Sequence, residues 1–255
     1  MHIPNEQAMT RPWKHVAMLP YSLCLLVVMA CGNGLWAQES GGLRPVTCGE
    51  LWLSATGSYK PFNKKTKKGE KEPLIENLEL IGELAWRNRL DPLASKYWYT
   101  AAGTKLKLND LLKVGAEYRY NWKDRYTSND SRIDLQLWLG HEFGRVAVDH
   151  RVDYQHEFIP VNKLRSVLRN RLTVEYNIPN WKLDPHFSAE AFTGFHYTGN
   201  DLVGMRYELG TELAFDKKKT RTLDLGVRYD QELHVDNPEN RWILVIGYGH
   251  EFKKK

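Results

Sequence analysis

Cysteine is scarce in this chain, and its placement makes it scarcer still. Of the three cysteines, Cys24 and Cys31 lie in an N-terminal apolar region, and Cys48 stands alone beyond it. If that region is removed, one thiol remains and no internal disulfide can form. Long apolar runs are also missing. The chain is 42% hydrophobic, and its mostly apolar segment, Val16 to Met29, is interrupted by Pro20. A spanning helix needs about 20 predominantly apolar residues, so a helical membrane protein is excluded. There is no HExxH, no CxxC pair, no phosphate-cradling glycine loop and no dinucleotide-binding fingerprint. Neither a metal nor a cofactor is therefore expected. Charge is nearly balanced, with 36 Lys and Arg against 31 Asp and Glu, a net of +5. The lysine runs 217–219 and 253–255 read as a solvated turn and a solvated tail, and nucleic acid is not an expected partner.

What the chain has instead is alternation. From Leu112 to Trp122, residues Leu112, Val114, Ala116, Tyr118, Tyr120 and Trp122 share one face; Lys113, Gly115, Glu117, Arg119 and Asn121 share the other. Ile133, Leu135, Leu137, Leu139 and Phe143 continue the pattern, followed by Val146, Val148, Val152, Tyr154 and Phe158. Successive strand side chains point to opposite faces, so period two means one apolar and one charged face. These strands run to about 11 to 13 residues, whereas globular strands average about five or six. A transmembrane β-strand needs about 9–11 tilted residues. Repeated down the chain, that length predicts an all-β, antiparallel, up-and-down transmembrane β-barrel. A soluble lipocalin-like barrel would have about eight strands.

Residues 1–37 read as a secretory signal: Arg11, Lys14 and His15, the apolar core, then Ala37 at a plausible cleavage position. Val28-Met29-Ala30-Cys31 offers a rival lipoprotein reading. Residues 38–50 read as an extended lead-in, 51–252 as the barrel and 253–255 as a basic tail. The nine Trp and thirteen Tyr suit membrane interfaces. Eleven strand candidates emerge, at about residues 51–62, 78–87, 97–108, 112–122, 132–143, 146–158, 167–178, 186–197, 202–215, 220–233 and 242–252. Bacterial single-chain barrels have even counts, which predicts ten strands, with 51–62 outside the wall, or twelve, with a short strand hidden in 38–50. Counted back from the C-terminus, the short connections at 216–219, 144–145 and 109–111 fall on one side, taken as periplasmic. The longer ones at 234–240, 159–165 and 123–131 fall on the other. Gly144-Arg145 predicts a tight hairpin turn with a positive φ at Gly144.

The charged face is dense. Glu117, Arg119, Asp134, Arg151, Asp153, Arg169, Arg171, Glu175, Glu190, Arg206, Glu208, Glu212, Asp224, Arg228 and Asp230 should point inward. Opposite charges on neighbouring strands can pair across the ladder, which favours a charge-filled lumen over an open pore. His186, Ser188 and Glu190 share one face of one strand. A His beside a Ser can serve as its general base, with a carboxylate orienting the His. That gives an alternative reading as a membrane-embedded lipid hydrolase, akin to lipid A deacylases or phospholipases. His141, His150, His156 and His250 are in phase with the apolar residues, which suits an interfacial belt rather than a metal cluster.

An ordered series of short motifs also stands out. It comprises Trp52, Arg87-Asn88-Arg89, Val114 to Tyr120, His150-Arg151-Val152-Asp153, Leu168 to Tyr176 and Phe187 to Phe192. In this order the chain resembles the outer-membrane barrels catalogued as domain-of-unknown-function family 2490, found in Bacteroidetes-like bacteria. The similarity covers most of residues 50–252. It implies a barrel in the outer membrane of a Gram-negative bacterium. For a barrel so placed, outer-membrane lipid and the barrel-assembly machinery are the expected partners. It implies no catalytic residues. The tail departs from the usual aromatic ending, because Phe252 is followed by three lysines.

Overall fold

In a computed structural model, the residues described are 45–62, 74–124, 126–158, 166–179, 181–196, 199–216, 218–234 and 237–252. The expected signal sequence, the strongly charged segment 64–72 and the basic tail lie outside them. The strands are β1 Val46–Tyr59, β2 Leu78–Leu90, β3 Leu93–Lys107, β4 Leu112–Trp122, β5 Asp130–Phe143 and β6 Val146–Phe158. They continue with β7 Ser166–Tyr176, β8 Leu183–His196, β9 Gly199–Ala214, β10 Arg221–Glu232 and β11 Glu239–Phe252. One 3-10 turn, Leu74–Asn77, precedes β2. Each strand bonds its sequence neighbours, and β1 bonds β11, closing the barrel.

The strand count corrects the even-number expectation. The wall holds eleven strands, neither ten nor twelve, and β1 belongs to it. Its pairing begins at Val46, so part of the expected lead-in is strand. In an up-and-down wall an odd count forces the first and last strands to run the same way. β1 and β11 accordingly pair in parallel, in unbroken register from Val46↔Glu239 to Tyr59↔Phe252. The other ten junctions are antiparallel. Evenness is a habit of bacterial barrels and not a demand of the backbone. A parallel ladder satisfies the edge N–H and C=O groups of both strands just as closure requires.

The pleat sorts the residues as the alternation predicts. Leu84, Leu135, Leu209, Val227, Leu244 and Ile246 stand exposed on the outer wall at mid-height. Toward one end the exposed outer residues are aromatic: Trp98, Trp122, Phe158 and Trp242. Toward the other they are Phe143, Tyr176, Phe215 and Phe252. Inside, Glu50, Asp134, Asp153, Ser188, Glu190 and Glu208 are each at most 2% exposed. The wall is thus apolar outside and ionic inside, the reverse of a water-soluble globule.

The turn at residues 144–145 joins Phe143 directly to Val146. Gly144 has φ +67°, and Arg145 keeps a negative φ. That combination fits a type II′ turn, which Gly enters without a Cβ clash. The C-terminal ends of β1, β3, β5, β7, β9 and β11 share one end of the barrel, with the connections at 109–111 and 144–145; the C-terminal ends of β2, β4, β6, β8 and β10 share the other, with the connection at 91–92.

Candidate functional site

Among the described residues, chemistry-bearing side chains converge in numbers in the lumen. Period-two alternation brings them inside, and antiparallel register sets them against one another. Glu190 lies opposite Arg171 on β7 and Arg206 on β9. Glu208 lies opposite Arg228 on β10. Arginine is long enough to reach past its immediate neighbour, because adjacent strands are only about 4.8 Å apart. The guanidinium of Arg171 accordingly donates to Glu208, two strands away, at 3.0 Å.

Two carboxylates anchor one wall of the network. Glu190 accepts from Arg169 Nε at 2.9 Å and Nη2 at 2.7 Å, with Arg151 and Arg206 each at 3.5 Å. Glu208 accepts from Arg228 Nη2 at 2.7 Å and from Arg171. Arg206 donates twice to Asp230, at 2.6 Å each. On the facing wall, Arg119 donates to Glu117 at 3.0 Å, and Arg132 clasps Asp134. Tyr99 donates to Glu83 at 2.7 Å. Asp153 approaches Arg169 at 3.7 Å. Glu175 lies opposite His186, toward the end with the short turns. Burying a charge is costly unless it is paired and hydrogen-bonded, and nearly every group here is both.

Between these walls lies a cavity of about 470 Å³, lined by eight arginines and six carboxylates. Aromatic side chains, which the alternation of charges did not single out, also line it: Trp52, Tyr97, Tyr99 and Phe192. Trp52 gathers several partners. Its indole N–H donates to Glu50 at 2.7 Å, and Glu50 also receives Lys96. Arg87 stacks on the Trp52 ring with Cζ 3.2 Å from the centroid; Arg228 and Arg206 approach the same ring at 4.7 and 5.1 Å. The signal was present in the sequence, since Trp52 is in phase with Glu50 and Ser54. Read only in aggregate, as interfacial residues, the tryptophans gave no sign that this one faces inward.

His186, Ser188 and Glu190 all reach the lumen but do not form a relay. Ser188 is held by Arg171 at 3.1 Å. His186 turns toward Glu208, with Nε2 at 3.9 Å. Gly210 makes that rotamer possible, because a Cβ there would meet the His186 ring at 2.7 Å. Glu190 is taken by three arginines. Among the described residues no hydrogen bond joins His186 to Ser188.

The four outer histidines do not converge. His141, His156 and His250 each meet a phenylalanine two residues on, edge to face, at 4.4, 4.9 and 4.4 Å. His150 stands apart from them. Among the described residues no three His, Cys, Asp or Glu side chains form a metal-binding group.

No curated protein matches the chain. The model of the family described as "Protein of unknown function (DUF2490)" matches residues 49–243. That span runs from β1 into β11 and takes in the whole ionic lumen, so the chain belongs to the DUF2490 family.

Proposed function

We propose that this protein is an integral barrel of a Gram-negative outer membrane whose lumen holds a small solute rather than passing a free stream of them. One observation carries the reading: a closed wall with an exposed aliphatic band at mid-height, aromatic residues toward both rims and buried ions inside. Strands of 11 to 16 residues support it. At about 3.3 Å per residue and a tilt near 40°, an 11-residue strand rises about 28 Å, close to the roughly 25 Å apolar band of outer-membrane barrels. Eleven strands also suit a filled interior. About eight leave room only for side chains or one small ligand, and open aqueous channels come at about sixteen. Outer-membrane lipid and the barrel-assembly machinery are the partners this reading requires, and residues 1–37 supply its export signal.

Expression of the full chain in a Gram-negative host, followed by density separation of the membranes, tests it. The protein should appear in the outer membrane and migrate differently on gels before and after boiling. Recovery in the soluble periplasm would overturn the proposal. Orientation is tested separately with epitope tags. If the short turns are periplasmic, a tag after Asn129 is detected on intact cells and a tag at Lys218 is not. The opposite result would invert the barrel.

A further inference from the structure

Seven of the eight arginines that line the central cavity lie within 4.0 Å of a carboxylate. The eighth, Arg87, has no carboxylate in that range among the described residues. Among the described residues its one hydrogen bond runs from Nη2 to the Tyr99 hydroxyl, at 3.3 Å. Nε and Nη1 are buried without an acceptor among the described residues. The Tyr99 hydroxyl spends its own proton on Glu83, so Arg87 feels a carboxylate only through an intermediary.

A buried guanidinium left in this state is expensive, because its in-plane N–H groups have given up water for nothing. Stacking on Trp52 fixes the plane of the group and shields its face, but a π-face cannot accept the in-plane N–H groups. Those groups match the oxygens of a carboxylate or phosphate. The Nε of Arg119 and of Arg151, lining the same cavity, also lack acceptors. Orphaned carboxylate oxygens occur in this lumen too: those on Asp134, Asp153 and Glu190 belong to groups already ion-paired with arginine, while Asp224, on the same cavity, has no ion pair among the described residues and lies more than 4.0 Å from Arg87. At Arg87 itself the unmatched groups are N–H donors, and no carboxylate among the described residues comes within 4.0 Å to take them. The cavity, at about 470 Å³, lies within the roughly 300–1,000 Å³ usual for small-molecule sites.

We propose that Arg87, stacked on Trp52, is the anchor of an anion site in the lumen, taking a small solute through its carboxylate or phosphate oxygens, with Arg119 and Arg151 as further donors. Tyr99 and Phe192 supply apolar surface for the body of the solute. The inference rests on the lumen-binding reading above and adds the chemical class of the ligand.

Isothermal titration of the full-length protein in detergent micelles at fixed low salt tests it, with inorganic phosphate and succinate as separate probes. Saturable binding of one or both is expected, and the preferred probe identifies phosphate or carboxylate as the recognised group. Arg87→Gln should weaken that binding by about thirtyfold or more, the usual cost of removing a buried charge partner. Arg87→Lys keeps the charge but loses the planar fork, and should fall between the two. It is the deciding variant if Arg87→Gln does not fold. A wild-type barrel that shifts on gels as folded, yet binds neither probe with a Kd below about 10 mM, overturns the anion site and leaves the membrane assignment standing. So does a folded Arg87→Gln or Arg87→Lys that binds as wild type does.

Discussion

Leu135 offers the sharpest test of what the outer wall touches. It sits on β5 between Ala116 of β4 and Tyr154 of β6 and is 54% exposed. The near end of its strand, Asp130, is five residues away. At about 3.3 Å per residue and a tilt near 40°, that places position 135 roughly 13 Å below the rim. An arginine at this depth can snorkel only part of the way out. In lipid, Leu135→Arg should destabilise the barrel by about 2–4 kcal/mol, the cost of arginine near the midplane. In water, an exposed Leu→Arg change should stay within about 0.5 kcal/mol. Reversible unfolding in urea against vesicles reads the difference. With an m-value of about 2 kcal/mol/M, the midpoint should fall by about 1–2 M. Leu111, 52% exposed in the turn after β3, is the depth control. Leu111→Arg should cost about 0–1 kcal/mol, as at a membrane interface. Equal small effects at both positions would refute a lipid-facing wall.

Glu190→Gln removes the shared partner of Arg169, Arg206 and Arg151; leaving buried charges uncompensated should cost about 3–5 kcal/mol in the same unfolding titration. Gly144→Val places a β-branched residue at φ +67° with no atom within 4 Å of the new Cβ. The loss should therefore be conformational, about 1–2 kcal/mol, and Gly144→Asn should recover part of it. Asp216, in the β9–β10 turn, is held at a pKa of about 2, first by the Thr220 hydroxyl and then by backbone N–H groups. Because the folded value is depressed, its contribution is full above the ordinary carboxylate range and is lost as pH falls through about 2. Carbon-detected NMR titration should show Thr220→Val moving that pKa upward, and an unchanged value would remove the hydroxyl from the explanation.

Much of this fold was legible because one rule, period two, governs every strand. All eleven candidates correspond to strands, and β4 and β6 match to the residue. Arg151 and Arg169 turn inward and Leu135 outward, as their phases require. The parity argument failed because it placed a statistical habit above the direct count. In β11, the run Trp242-Ile243-Leu244-Val245-Ile246 is apolar on both faces, so its phase could not be read. The structure puts Ile243 and Val245 inside. Partner choice within the lumen was also hidden. Register brings Arg171 to Glu190, but side-chain reach gives its guanidinium to Glu208. The stack of Arg87 on Trp52 depends on the β1–β2 register, which alternation along either strand alone does not specify.

The parallel seam between β1 and β11 has a consequence for anyone re-engineering this scaffold. In a barrel with an even count, the first and last strands meet head to tail, and a few added residues can splice them into a circular permutant. Here Phe252 sits beside Tyr59 and not beside Val46. A splice from Phe252 to Val46 must climb the height of the wall, about 45 Å along a 14-residue strand. The same geometry makes the barrel a two-sided display frame: a cargo attached ahead of β1 and another attached behind β11 emerge from opposite rims.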